Sequence, residues 1–148
     1  MEQRQIETWE VVLKAFKLLR KMLQEEAFRQ GLTFNETSLL FYVKANGKAN
    51  VTSLAKYLDV SKSSVVEMIE KLAKNGYLQK AKDETDRRVT IVTITKKGEE
   101  VLEEMRARYK GLINGILDAV RDEDCIRKFY EAILKEFSRR NLSSGEPC

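Results

Sequence analysis

The chain has 148 residues, 43% hydrophobic and 34% charged, with 27 lysines and arginines against 23 acidic residues and no histidine, for a formal charge of +4. That size and balance fit one mainly α-helical domain with extensions, and the mild basic excess permits a nucleic-acid partner without demanding one. The missing histidine excludes Ser-His-Asp and Cys-His nucleophiles and histidine-bearing zinc sites, so no catalytic residue, metal or cofactor is expected; with no long apolar run and no leader, neither is membrane contact, and the expected location is cytoplasmic.

In chain order, Ile6 to Phe28 reads as a helix, because Ile6, Trp9, Leu13, Phe16, Leu19 and Leu23 recur mostly at three- and four-residue spacing. Lys14, Lys17, Arg20 and Lys21 make a basic face on it, read as solvated because Glu25 and Glu26 follow. Gly31 ends this helix. Thr33 to Glu36 is a capping-box signature for the next, which carries Leu39, Leu40 and Val43 and stops at Asn46-Gly47. Lys48 to Val51 is expected to add a short strand.

Val51 to Ile94 reads as a helix-turn-helix followed by a hairpin. Thr52 is the expected cap of the first helix, with Leu54, Ala55 and Leu58 on its apolar face. Asp59 falls where the turn calls for a left-handed backbone, which Asp tolerates. Ser61 caps a second helix running to Asn75, with Val65, Met68, Ile69 and Leu72 as its buried stripe, and Gly76 stops it. Off that stripe or at the helix start lie Ser61, Lys62, Ser63, Ser64, Val66, Glu67 and Lys71. Hydroxyls at a helix N-terminus suit phosphates or base edges, and the lysines suit phosphates. Glu67 either accepts from a cytosine amino group or is simply solvated. Tyr77 to Lys82 and Val89 to Ile94 form the hairpin strands. Its tip carries Arg87 and Arg88, which suit a narrow minor groove, and Asp86, which can hold an arginine in place.

Thr95 caps a long helix to about Arg121, about 39 Å at 1.5 Å per residue, more than the preceding unit needs for its core. Asp122 to Asp124 then cap a last helix whose Ile126, Phe129, Tyr130, Ile133, Leu134 and Phe137 share one face. This face and the Ile6–Trp9 end of the first helix either close a monomer core or meet a second copy. Cys125 reads as a small, partly buried hydrophobe, and Cys148 as part of a polar tail.

The stretch LAKYLDVSKSSVVEMIEKLAKNGYL, then DETDRRVTIVTITKKG, resembles the multiple-antibiotic-resistance regulator (MarR) family of transcription factors. GLTFNETSLL fits as the helix entering the domain, so the resemblance covers nearly the whole chain. Its most specific part is the wing, with Asp86, Arg87 and Arg88 before an alternating strand and Thr95-Lys96-Lys97-Gly98. Val66, Glu67, Asp59 and Thr85 depart from the residues frequent in that family, which bears on base reading more than on fold. The resemblance implies a winged helix-turn-helix at 33–98 and a helical dimerisation region made of 1–32 and 99–148. Ile6, Trp9, Ile126, Phe129, Tyr130, Ile133 and Phe137 would then lie in the dimer interface. Thr52 and the α-helical and wing residues named above would contact a pseudo-palindromic operator in double-stranded DNA. Many members release DNA when a small, often phenolic, ligand binds. A small aromatic ligand is therefore implied here, in a pocket between the long helix and the DNA-binding lobe. The expected function is that of a dimeric, sequence-specific regulator, a repressor. The alternative is a winged-helix module that binds protein, against which the Arg87-Arg88 tip argues.

Overall fold

Reciprocal capping boxes start the first three helices, each satisfying two backbone N–H groups that the helix leaves free. Glu7 and Glu10 begin α1 (Thr8–Arg29), Thr33 and Glu36 begin α2 (Phe34–Asn46), and Asn50 and Ser53 begin α3 (Val51–Leu58). The computed structural model describes residues 5–143; Cys148 lies outside the described residues. Asn50, not Thr52, caps α3: its side chain accepts the Ser53 N–H at 2.8 Å, and Thr52 lies exposed in the helix's first turn. The reason is non-local. Ala49–Asn50 (β1) pairs with a later strand, so the extended backbone ends at Asn50 and the helix must start there.

Asp59 closes α3 in the left-handed conformation, φ 54° and ψ 49°. Ser61 then caps α4 (Lys62–Lys74), accepting the Ser64 N–H at 3.1 Å. Gly76 turns the chain at φ 83° into the wing, β2 (Leu78–Lys82) and β3 (Thr90–Ile94). The three strands form an antiparallel sheet in the order β1-β3-β2, with Ala49 opposite Val92 and Leu78 opposite Ile94.

Thr95 joins the wing to the long helix that follows. Its hydroxyl donates to the Gly76 carbonyl at 2.5 Å and accepts the Gly98 N–H at 3.0 Å, while its own N–H reaches the Tyr77 carbonyl at 3.1 Å. It thereby caps α5 (Lys96–Val120) and ties that helix to both ends of the Gly76 turn. Arg121, at φ 59°, ends α5, and Asp122 caps α6 (Glu123–Ser143) through the Cys125 N–H at 3.0 Å.

The chain divides into two units, Met1–Tyr109 and Lys110–Cys148. The first holds a core of Leu32, Leu39, Leu40, Val43, Leu54, Val65, Leu72, Val92 and Met105, each at most 1% exposed. Ile6, just before α1, and Trp9, Leu13 and Phe16 on it face solvent, at 50–62% exposure. In the second unit, Ile126, Phe129, Tyr130, Ile133, Leu134 and Phe137 stand 44–60% exposed. Cys125 is exposed rather than partly buried, since the first turn of α6 is solvated on every side. Among the described residues no helix is long and apolar enough to cross a membrane.

Candidate nucleic-acid interface

Helix α4 divides into three faces. Val65, Ile69 and Leu72 are buried in the core. Ser64, Glu67, Met68 and Lys71 line a cavity of about 790 Å³. Lys62, Ser63, Val66 and Glu70 belong to neither and are exposed. This division follows from 100° per residue: positions i, i+4 and i+7 from Val65 lie together, as do those from Ser64, and the rest face out.

At the N-terminus of α4, three hydroxyls meet. Ser61 Oγ is 3.1 Å from Ser63 Oγ and 2.9 Å from Ser64 Oγ. With Lys62 beside them, these groups crown the end of a helix where backbone N–H groups favour an anion. The sequence-derived residues Ser61, Lys62, Ser63 and Ser64 are thus brought together.

The wing tip is held by side chains that bond their own loop. Asp83 Oδ1 accepts the Thr85 N–H at 2.9 Å and its hydroxyl at 2.8 Å. Asp86 takes Arg88 in a fork, Nε to Oδ1 at 3.1 Å and Nη2 to Oδ2 at 3.2 Å, and Oδ1 also accepts the Arg88 N–H at 3.0 Å. The Arg88 side chain and backbone bonds hold the Asp86 carboxyl below its ordinary value; the Thr85 backbone and hydroxyl bonds do the same for Asp83. Both residues carry these bonds on the surface, so the Arg88 guanidinium stays 91% exposed while its direction is fixed. Arg87, beside it, is exposed as well. The bond expected between Asp86 and an arginine is made, and Arg88 is the arginine.

Lys71, read from sequence as a phosphate contact, also makes an ion pair within the protein. Its ammonium is 2.9 Å from Glu36 Oε1, a carboxylate 3% exposed that also accepts the Thr33 N–H of the α2 capping box at 3.1 Å. Helix α4 is thereby pinned to the start of α2. Glu36 Oε2 meets no donor among the described residues. Glu67, too, faces the cavity.

The cavity lies between α1, α2 and α4, and among the described residues none from α5 lines it. The α5 side is filled: Val101, Leu102 and Met105 are core, and the Tyr109 ring packs 6.4 Å from Phe34 and 6.5 Å from Phe41. Lys17, Arg20 and Lys21, read from sequence as a solvated face, form its α1 wall. Their i, i+3, i+4 spacing on one helix was the signal; what they face could be known only from the fold. The cavity lining carries Lys17, Arg20, Lys21 and Lys71 against Glu36 and Glu67, with Phe34 and Met68 as apolar members.

The family model for the transcriptional regulators SarA and Rot matches residues 18–105. Among curated relatives, the HTH-type transcriptional regulator YdgG of Bacillus subtilis is 27% identical over 116 residues, 77% of this chain and 76% of that one. The HTH-type transcriptional repressor MdtR, also from Bacillus subtilis, is 24% identical over 76% of this chain and 72% of its own. The fold is that of solved MarR-type structures. AbsC, a MarR family transcriptional regulator from Streptomyces coelicolor, superposes with a TM-score of 0.74 at 19% identity, covering 92% of this chain and 99% of that one. BpsR of Bordetella bronchiseptica, whose DNA binding is regulated by 6-hydroxynicotinic acid, does so with a TM-score of 0.72 at 19% identity, covering 93% and 97%.

Proposed function

The chain belongs to the SarA/Rot family of transcriptional regulators and is a DNA-binding regulator of the MarR type; from that premise we propose that it works in the cytoplasm as a homodimeric repressor on a pseudo-palindromic operator. The observation that carries the reading is the wing tip. Two exposed arginines stand on a loop that three bonds to Asp86 hold in one shape, which suits insertion into a minor groove at little further cost in ordering. The α4 N-terminus supplies the second contact, to phosphates and major-groove edges. Arg87, Arg88 and Asp86, with Thr52, Ser61, Lys62, Ser63, Ser64 and Val66, are the proposed DNA residues. Lys71 and Glu67, which line the cavity as Ser64 does but lie further from the α4 N-terminus, belong to the cavity wall in this reading.

The proposed dimer rests on the uncovered apolar faces. Ile6 just before α1, Trp9 on it, and Ile126, Phe129, Tyr130, Ile133 and Phe137 on α6 are too many large apolar side chains to leave in water. Residues 1–32 and 99–148 form the dimerisation region in this reading, and 33–98 the reading head. MdtR's designation as a repressor favours that sign of regulation.

The cavity supports a small aromatic acid as the effector. A carboxylate seated among Lys17, Arg20 and Lys21 would compete with Glu36 for the Lys71 ammonium, and so bear on the position of α4. It would release DNA only by favouring an α4 position that the operator disfavours.

The test is selection from a random duplex pool with sequencing of the survivors, beside sedimentation mass. A two-fold motif with half-sites about 10 base pairs apart or a multiple of that, bound by a particle of twice the chain's mass, is expected. Ile133→Asp with Phe137→Asp should yield monomers that lose the operator. A monomeric parent protein, or a pool without any motif, rejects the reading.

A further inference from the structure

We propose that Val66 reads the methyl group of a thymine in the major groove, and so fixes one base pair of each half-site. The inference rests on the DNA-reading function above and deepens it.

A single exposed apolar side chain is ordinary on a protein surface. Its place decides here. Val66 is 41% exposed and lies one turn into α4, four residues after Lys62 and three after Ser63. The first turns of a recognition helix are the ones that meet base edges. Two of the three faces of α4 are already committed, one to the core and one to the cavity. Only the face of Lys62, Ser63, Val66 and Glu70 is left to enter a groove.

On that face, Lys62 can donate a hydrogen bond, Glu70 can accept one, and Ser63 can do either. Val66 can do neither. It discriminates only by apolar contact, and the C5-methyl of thymine is the apolar group that the major-groove edges offer. Opposite any other base, Val66 would take water from a polar edge and return no hydrogen bond. The contact is therefore favourable at thymine and penalised elsewhere, which makes it a specificity contact. The neighbouring hydroxyls and Lys62 set the register by holding phosphate, so the methyl lies at a fixed step from the half-site centre.

The experiment replaces each thymine of the selected operator, in both half-sites at once, with deoxyuridine, which removes only the methyl. Binding is measured by fluorescence anisotropy for the parent protein and for Val66→Ala. At one symmetric position the replacement should weaken the parent about fourfold per half-site, roughly fifteenfold in all, as removal of one buried methyl predicts. In Val66→Ala the same replacement should change affinity less than about twofold, within what non-contacting sites show. A motif whose thymines all tolerate uridine overturns the contact alone. So does an equal weakening in the parent and in Val66→Ala. A pool that yields no motif overturns the DNA-reading function beneath it as well, so the two failures are told apart.

Discussion

Glycine-to-alanine changes within a helix ordinarily stabilise, by up to about 1 kcal/mol, because alanine has less backbone entropy to lose. At Gly98, in the first turn of α5, the sign should reverse. An ideal Cβ there would overlap the Tyr77 carbonyl oxygen and lie 2.6 Å from Cγ1 of Ile94. A carbon beside a carbonyl oxygen needs about 3.3–3.6 Å, so α5 or the entry to β2 must retreat by roughly 1 Å. The Tyr77 carbonyl also accepts the Thr95 N–H, and Thr95 Oγ1 accepts the Gly98 N–H, so the retreat loosens the cap that joins the wing to α5. Overpacking costs about 1–3 kcal/mol and a weakened cap about 1 more, against a propensity gain of at most about 1. Gly98→Ala should therefore lose about 2 kcal/mol, which at a urea slope of about 2 kcal/mol per molar lowers the unfolding midpoint by about 1 M. Gly111 lies in the same helix with open space where a Cβ would go. Gly111→Ala should leave the midpoint unchanged or raise it, at the same protein concentration. A Gly98→Ala midpoint equal to or above the parent's would refute the reasoning.

Arg87→Ala with Arg88→Ala should weaken operator binding and flatten its dependence on salt, by about 0.9 in the log–log slope for each phosphate that the wing no longer neutralises; anisotropy titrations at several salt concentrations measure both, and an unchanged slope removes the wing from the interface. The Arg88–Asp86 fork should be sensitive to acid. The Asp86 carboxyl is depressed by Arg88, so its hold on the tip is complete above the ordinary value of 3.8 and fades as pH falls through the lower folded one. The Arg88 Nε–H chemical shift should hold down to that region and then move to that of a free arginine, a position that Asp86→Asn should show already at neutral pH. Lys71→Ala leaves a buried carboxylate without its counterion and should cost about 1–2 kcal/mol, a value reduced because Lys71 is half exposed. Glu36→Gln keeps the capping box and frees Lys71 into water, so it should cost less than about 1 kcal/mol; urea midpoints in the reverse order would show that the pair is not held as described.

What could be read from sequence was whatever is decided within about four residues. The Thr33–Glu36 box, the Ser61, Thr95 and Asp122 caps, the left-handed Asp59 and the stop at Gly76 each depend on near neighbours, and each is in place. Thr52 shows the limit. Asn50 and Thr52 are both competent caps, and local preference cannot choose between them; the pairing of Ala49 with Val92 does, from 43 residues away. Cys125 shows another limit. Its place near the apolar run of α6 suggested partial burial, but burial needs a neighbour, and sequence periodicity names a face without naming what covers it.

The candidate site divides along the same line. The wing fork joins residues two apart, and was legible. The Glu36–Lys71 pair joins residues 35 apart, and each had a sufficient local explanation of its own, one as half of a capping box and one as a phosphate ligand. The structure makes them one contact and turns α4 into a helix shared by three surfaces. Its core face fixes where it sits, its groove face meets the operator in the proposed reading, and its cavity face carries the ion pair. A rigid helix cannot change its relation to one surface without changing it to the others. An anion that displaces Glu36 from Lys71 therefore does not need to touch the DNA-facing residues to alter how they present themselves. The same geometry would work in reverse: an operator that favours one position of α4 would also select how tightly Lys71 is held, and so change the affinity of the cavity for the proposed aromatic acid by the same factor.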